Sequence, residues 1–238
     1  MTGLFITGTD TGVGKTFVGC GLAALLFSKG KRVGVMKPVE TGCELKDGQL
    51  RPEDALRLRH FAGSSVPLEL LCPYRFALSL APAVAAEMAG VRIEKEQLVA
   101  CYEQIAASHD ITLVEGAGGL LVPLVGRYTF ADLARDLDIP VLVVIGSKLG
   151  AINHTLLTLH CAASMGLPVR GYILNHLTPA QDLAAQTNRR ALARITEIPC
   201  LGSLPFVPPS GDDDHDRETL TRLIKQEVNL GGLGLSSE

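Results

Sequence analysis

The chain has 238 residues, of which 47% are hydrophobic and 20% charged, and a formal net charge of −3. That is long enough to bury a sizeable core, and the composition is globular rather than disordered. The slight negative charge gives no electrostatic reason to expect nucleic acid or an anionic membrane as a partner, and no run reaches the ~18 apolar residues of a membrane span.

The opening MTGLFI has no basic segment ahead of its apolar residues, so no signal peptide is expected. Cysteines stand at 20, 43, 72, 101, 161 and 200 with no C-x-x-C pair, and read as reduced thiols of a cytoplasmic enzyme. Strand-length apolar runs then alternate with helix-period segments. Residues 4–7 predict a strand and 15–29 a helix ended by Gly30. A second strand over 32–36 stops before Pro38, and Glu53–Phe61 predicts a helix. Further helices are expected over 82–89 and 94–108, a strand over 111–114, and a helix over 130–137. A buried strand over 141–145 precedes a helix over 151–165 closed by Gly166. A strand over 169–174, a helix over 182–195, a short strand near Cys200–Leu204 and a helix near 217–228 complete the pattern.

The strands are β-branched and apolar throughout instead of alternating, which is the pattern of strands covered on both faces. Joined by helices, they predict a mostly parallel central sheet in a three-layer α/β fold with right-handed crossovers. Ligands of such a sheet bind at the carboxyl ends of its strands. No linker or repeat divides the chain. Residues 1–228 are expected to form one domain, and the glycine- and serine-rich 229–238 a flexible tail.

The segment GTDTGVGKT, residues 8–16, matches G-x-x-x-x-G-K-[ST] between a strand and a helix, the context this phosphate-binding motif needs. Its glycines let backbone N–H groups turn inward as an anion nest, and the helix N-terminus adds partial positive charge. Lys15 can reach the outer phosphates of a nucleoside triphosphate, and the Thr16 hydroxyl can ligate Mg²⁺. A second glycine pattern, Gly19 to Ala24, mimics a dinucleotide fingerprint but lies inside the helix, so its small residues read as packing sites.

Magnesium favours carboxylates beside the phosphates. Glu115 stands at a strand tip before Gly116, Ala117, Gly118 and Gly119, a Walker-B-like arrangement; the bland alternative is a solvated loop acid. Asp54 follows Pro52 at a helix start, where an acid is ordinary and by itself reads as a capping residue. Lys37 lies at the carboxyl end of its strand, on the same edge as the loop. Position alone leaves it either a solvated strand end or a second cation for the triphosphate. The histidines are isolated, and Asp212, Asp213 and Asp214 read as the cap of the last helix. No zinc-spaced Cys/His cluster or serine-hydrolase elbow is present.

Four segments together resemble the dethiobiotin synthetase family, ATP-dependent carboxylases of biotin synthesis with a P-loop NTPase-like fold. They are GTDTGVGKT at 8–16, KPVETG at 37–42, VEGAGG at 114–119 and KLGAINH at 148–154, in the family's order and with similar spacing. The resemblance covers about residues 1 to 207. It implies carboxylation of 7,8-diaminononanoate with CO₂ and MgATP. One amine captures CO₂ as a carbamate, the carbamate attacks the γ-phosphate, and the second amine closes a cyclic urea as phosphate leaves.

The same resemblance implies roles for particular residues. Lys15, Lys37 and Thr11 would act in catalysis, and Thr16, Asp54 and Glu115 would hold Mg²⁺. The nucleotide would meet Gly12, Val13, Gly14, Lys15, Thr16 and Phe17, with Asp54, Glu115, Gly116, Ala117 and Gly118 around its phosphates. Asn175 matches the asparagine that reads the adenine edge, with His176, Leu204, Pro205 and Phe206 nearby. The family sets a carboxylate for the nucleotide shortly after that proline; here Gly211 stands there and three aspartates follow. Thr41 and Gly118 would contact the substrate near the carbamate. Gly150, Ala151, Ile152 and Asn153 would bind its carboxylate from the neighbouring subunit of a homodimer. Two other readings share the phosphate loop: a regulatory switch ATPase of the partitioning or positioning type, and another amide- or carbamate-forming ligase. The first typically carries an additional lysine early in the loop, where this chain has Asp10 and Thr11, and a membrane- or DNA-binding surface of which no basic or amphipathic terminal helix gives a sign.

Overall fold

The first apolar run, GLFITG, is buried along its whole length and forms β1 (Gly3–Gly8). The structure, a computed structural model, describes residues 3–179 and 183–234. After β1 the phosphate-loop motif leads into α1 (Lys15–Ser28), followed by β2 (Val33–Met36), β3 (Val39–Thr41), β4 (Glu44–Lys46) and β5 (Gln49–Arg51). Next come α2 (Glu53–Phe61), α3 (Leu68–Leu71), β6 (Tyr74–Phe76), α4 (Pro82–Met88), α5 (Lys95–Ser108) and β7 (Ile111–Glu115). The chain continues through β8 (Pro123–Val125), β9 (Tyr128–Thr129), α6 (Phe130–Asp136), β10 (Val141–Gly146) and α7 (Ala151–Ser164). It ends with β11 (Val169–Asn175), α8 (Leu183–Ile195), β12 (Cys200–Leu204) and α9 (Asp213–Glu227).

Among the described residues one six-stranded sheet dominates, in the order β12-β11-β10-β1-β7-β2. Every neighbouring pair in it is parallel. β1, β2, β7 and β10 are buried at every position, which explains their unbroken apolar sequences. Helices flank the sheet in the expected three-layer α/β arrangement. Passing from β7 to β10, the chain crosses over β1, so a crevice opens at the carboxyl ends of these central strands.

The small residues of α1 serve packing. A Cβ on Gly21 would stand 2.6 Å from Ile224 of α9, and one on Gly19 would stand 3.0 Å from Leu58 of α2. Both helices therefore approach α1 more closely than larger side chains would allow.

Several short elements were not predicted. β3 pairs with β6, β4 with β5, and β8 with β9, each strand having only two or three residues. Runs that short carry no periodicity. The β4–β5 hairpin did have a local signal. Asp47 and Gly48, both at positive φ (52° and 76°), form its tight turn. The last helix begins four residues before the expected 217, at Asp213, because Asp212 caps it by accepting from the Asp214 N–H (2.9 Å) and the His215 N–H (3.1 Å). Beyond α9 the Asn229 N–H donates to the Leu201 carbonyl at 2.7 Å, and Leu233 is buried. The rest of the expected tail, 235–238, and the expected start of α8 at Asp182 lie outside the described residues. Among those described, no helix is long and apolar enough to cross a membrane.

Candidate active site

The loop after β1 is shaped by glycine. Gly14 starts α1 at φ 90°, where an L side chain is strained, and a Cβ there would stand 2.1 Å from Asn175 Nδ2. That amide reaches across from the end of β11 and donates to the Val13 carbonyl at 2.9 Å. No side chain caps α1 and no acid sits in its first turn, so its leading N–H groups are available to an anion. Lys15 lies along the loop with its ammonium donating to the Asp10 carbonyl at 3.0 Å. Burial and the nearby Lys37 charge lower the Lys15 pKa to about 8.

Facing the loop is a three-residue charge cluster. The Lys37 ammonium, at the end of β2, donates to Asp54 Oδ2 at 3.0 Å and to Glu115 Oε1 at the tip of β7. The Thr16 hydroxyl donates to the same Glu115 oxygen at 2.9 Å. Lys37 and Glu115 are almost wholly buried, whereas Asp54 keeps half of its side chain in solvent. Burial alone would lower the Lys37 pKa, but Glu115 and Asp54 outweigh it and raise the value. Burial also works to raise Asp54, and there the Lys37 charge wins and lowers it. For Glu115 burial prevails and its pKa is raised. The second Glu115 oxygen, Oε2, is buried and has no hydrogen-bond partner among the described residues.

A cavity of about 300 Å³ brings together Thr11, Gly12, Gly14, Lys15, Thr16, Lys37, Thr41, Asp54, Glu115, Ala117 and Gly118. Eleven residues singled out in four separate segments thus line one space, together with Glu40. A second cavity, about 150 Å³, lies between Phe17, Arg57, Val207, Pro208, Pro209 and Thr219. Val13 and Gly116 lie buried beneath the first cavity, out of its lining. Leu204 is buried in the core, and its carbonyl accepts from the His176 N–H at 3.0 Å. Pro205 and Phe206 are exposed and line neither cavity, while Val207, Pro208 and Pro209 line the second.

Gly150, Ala151, Ile152 and Asn153 are not brought to the phosphate loop either. Gly150 (φ 89°) starts α7 without a side-chain cap or an acid in the first turn. Asn153 borders a third, shallow groove with Leu157, His160 and Ile195.

Comparison with known proteins agrees with this geometry. A family model described as an AAA domain matches residues 2–213. The ATP-dependent dethiobiotin synthetase of Thermodesulfovibrio yellowstonii is 41% identical over 219 residues, covering 89% of this chain and 91% of its own. That of Anaeromyxobacter dehalogenans is 45% identical over 87% of this chain and 92% of its own. That of Bacillus subtilis is 36% identical over 97% of this chain and 96% of its own. The chain belongs to the dethiobiotin synthetase family.

Solved structures resemble it in fold alone. The MinC:MinD cell division complex of Aquifex aeolicus gives a TM-score of 0.57 at 16% identity, covering 94% of this chain and 93% of that one. FtsY of Thermotoga maritima gives 0.51 at 18% identity, covering 92% of this chain and 68% of that one. These cell division proteins thus share the architecture, while sequence identity ties the chain to the synthetases.

Three site residues escaped the sequence reading. Glu40 is buried in the cavity wall, and its carboxylate accepts from the Asp54 N–H (3.0 Å) and the Ala55 N–H (2.9 Å). Burial raises its pKa to about 7 against those bonds. Arg57 rims the second cavity and donates to Asp213 and Asp216. Asn188, buried on α8, donates to the Lys148 carbonyl at 3.1 Å and so braces the approach to α7. None of the three carries a local signal: Glu40 stands between Val39 and Thr41 as an acid in any exposed strand would.

Proposed function

We propose that this member of the dethiobiotin synthetase family joins CO₂ to 7,8-diaminononanoate at the expense of ATP, giving dethiobiotin, ADP and phosphate. One observation carries the reading: Lys15 and Lys37 share a cavity with the phosphate loop, Asp54 and Glu115 in a chain of this family. One substrate amine adds to CO₂ and loses a proton, giving a carbamate. The carbamate oxygen attacks the γ-phosphoryl group and ADP departs. The second amine then attacks the carbamic–phosphoric anhydride, expels phosphate and closes the urea ring.

Each phosphoryl step brings anions together, so fixed cations supply most of the help a protein can give. Lys15 with the N–H groups of Gly12, Val13 and Gly14 holds the phosphates. Lys37 is kept charged by its two carboxylates and serves the carbamate and the transferring phosphoryl group, with Thr41, Thr11 and Gly118 around the substrate. Asn175, His176 and Phe17 accommodate the base beside Val207, Pro208 and Pro209. Thr16, Asp54 and Glu115 form an all-oxygen donor set, and the unpartnered Glu115 Oε2 is an acceptor lacking its donor or cation. These residues fit Mg²⁺, which when bound would neutralise phosphate charge.

The uncapped start of α7 suits the substrate carboxylate. It lies outside the phosphate cavity of its own chain, so a second copy supplies it in a homodimer. Exposed apolar side chains beside it support that assembly: Leu149 is 82% exposed, Leu157 60% and Ile195 55%.

The test is ADP release with each co-substrate omitted in turn. Release that requires the diamine and CO₂ together, with a cyclic urea product by mass spectrometry, is the expected result. ADP release without either would fit a switch ATPase and overturn the reading.

A further inference from the structure

Glu40 is only 7% exposed, yet among the described residues no cation pairs with it at hydrogen-bonding distance. Its two oxygens accept instead from the N–H groups of Asp54 and Ala55, at 3.0 and 2.9 Å, in the first turn of α2. Those donors are orphans of every helix start, and a local N-cap side chain normally satisfies them. The N-cap of α2 is Pro52, whose ring cannot, and no local side chain caps the helix. A carboxylate on β3 therefore caps α2 from outside the helix. Its negative charge also faces the positive end of the α2 dipole.

The tether is placed where it matters for the cavity. One of the two N–H groups it holds belongs to Asp54, whose carboxylate meets Lys37 at 3.0 Å. The Asp54 side chain is 46% exposed, so burial does little to fix its position. The Glu40 bonds fix its backbone, and through it the carboxylate. Glu40 follows Lys37 by three residues in one short segment, so the same segment carries the cation and the clamp on its partner.

We propose that Glu40 is the positioning residue that holds Asp54 in place for magnesium and for Lys37, a role that rests on the reading of Asp54 as a magnesium ligand. Its removal weakens the response to Mg²⁺ while leaving the phosphate loop intact. Residues that orient a metal ligand typically change metal affinity by roughly 10- to 100-fold when removed.

The test measures calorimetric ATP affinity as a function of Mg²⁺, and separately with EDTA, for wild type, Glu40→Ala, Glu40→Gln and Asp54→Asn. Glu40→Ala should raise the Mg²⁺ needed for half-maximal binding roughly 10-fold, with metal-free ATP affinity nearly unchanged. Glu40→Gln keeps one acceptor oxygen and should fall between Glu40→Ala and wild type. If Glu40→Ala fails to fold, Glu40→Gln decides by the same comparison. Suppose Asp54→Asn shifts the Mg²⁺ response while the Glu40 variants only lower the melting temperature. Glu40 is then a helix cap and nothing more, and this proposal falls while the magnesium reading stands. If Asp54→Asn also leaves the response unchanged, the magnesium reading fails and the proposal with it.

Discussion

Two lysines occupy one cavity, but different neighbours set their charge. Lys37 has Glu115 and Asp54 against its ammonium and stays protonated. Among the described residues the Lys15 ammonium donates to a carbonyl alone, and burial and Lys37 lower its pKa to about 8. The charged form lies below that pKa, so ATP affinity of the free enzyme should fall as pH rises through about 8. Phosphates favour the ammonium, so binding at that pH should also take up a proton. Calorimetry in buffers of different ionisation enthalpy measures both; an affinity flat across this range would reject the assignment. Lys15→Gln should remove the inflection and cut ATP turnover at least ~10²-fold, as loss of one preorganised cation at a phosphoryl site does. Lys37→Gln should lower kcat more than MgATP affinity, if its charge acts mainly on the carbamate and transferring phosphoryl group. Equal loss in both would make Lys37 a simple binding residue.

At the level of elements, α1 is the part that connects catalysis to stability. It opens from the phosphate loop and packs its small residues against α2 and α9. Ile224 of α9 is fully buried and packs directly over Gly21 of α1. Ile224→Ala should therefore cost about 2–5 kcal/mol in urea unfolding, the range for a buried large-to-small change. A loss well under that range would mean that α9 is only loosely docked. The long elements of this fold were legible beforehand. β1, β7 and β10 follow apolar runs, and α2 occupies the predicted bounds Glu53–Phe61, starting directly after Pro52. The short pairs β3–β6 and β8–β9 were not legible. Their strands exist because distant segments hydrogen-bond to each other, which no local window records.

For the whole molecule, the open question is what completes the site. The α7 start and the phosphate cavity are separate features of one chain, and the exposed Leu149, Leu157 and Ile195 argue that a second copy covers this face. Wild type should run as a dimer in light scattering. Ala151 is itself buried, so a charge there would disturb folding; Asn153, exposed in the same turn, is the better probe. Asn153→Asp should raise the diamine KM and leave MgATP affinity almost unchanged, because a carboxylate at a helix N-terminus repels an anion bound there. An active monomer, or an unchanged diamine KM, would remove the cross-subunit anchor.

The sequence by itself determined the class of fold and the phosphate loop. Both are written in local terms: apolar runs of strand length, and glycines at fixed offsets before Lys15 and Thr16. It also marked Lys37 and Glu115 as strand-end charges, because in a parallel sheet every such end lies on the ligand edge. It could not decide whether Asp54 was a helix cap or a magnesium carboxylate beside the phosphates. Asp54 lies seventeen residues from Lys37 in the chain, and only the packing of α2 against β2 brings their side chains to 3.0 Å. Nor could it find Glu40. A buried acid stands in a sequence like any other acid, and its purpose depends on the helix start that tertiary structure sets against it.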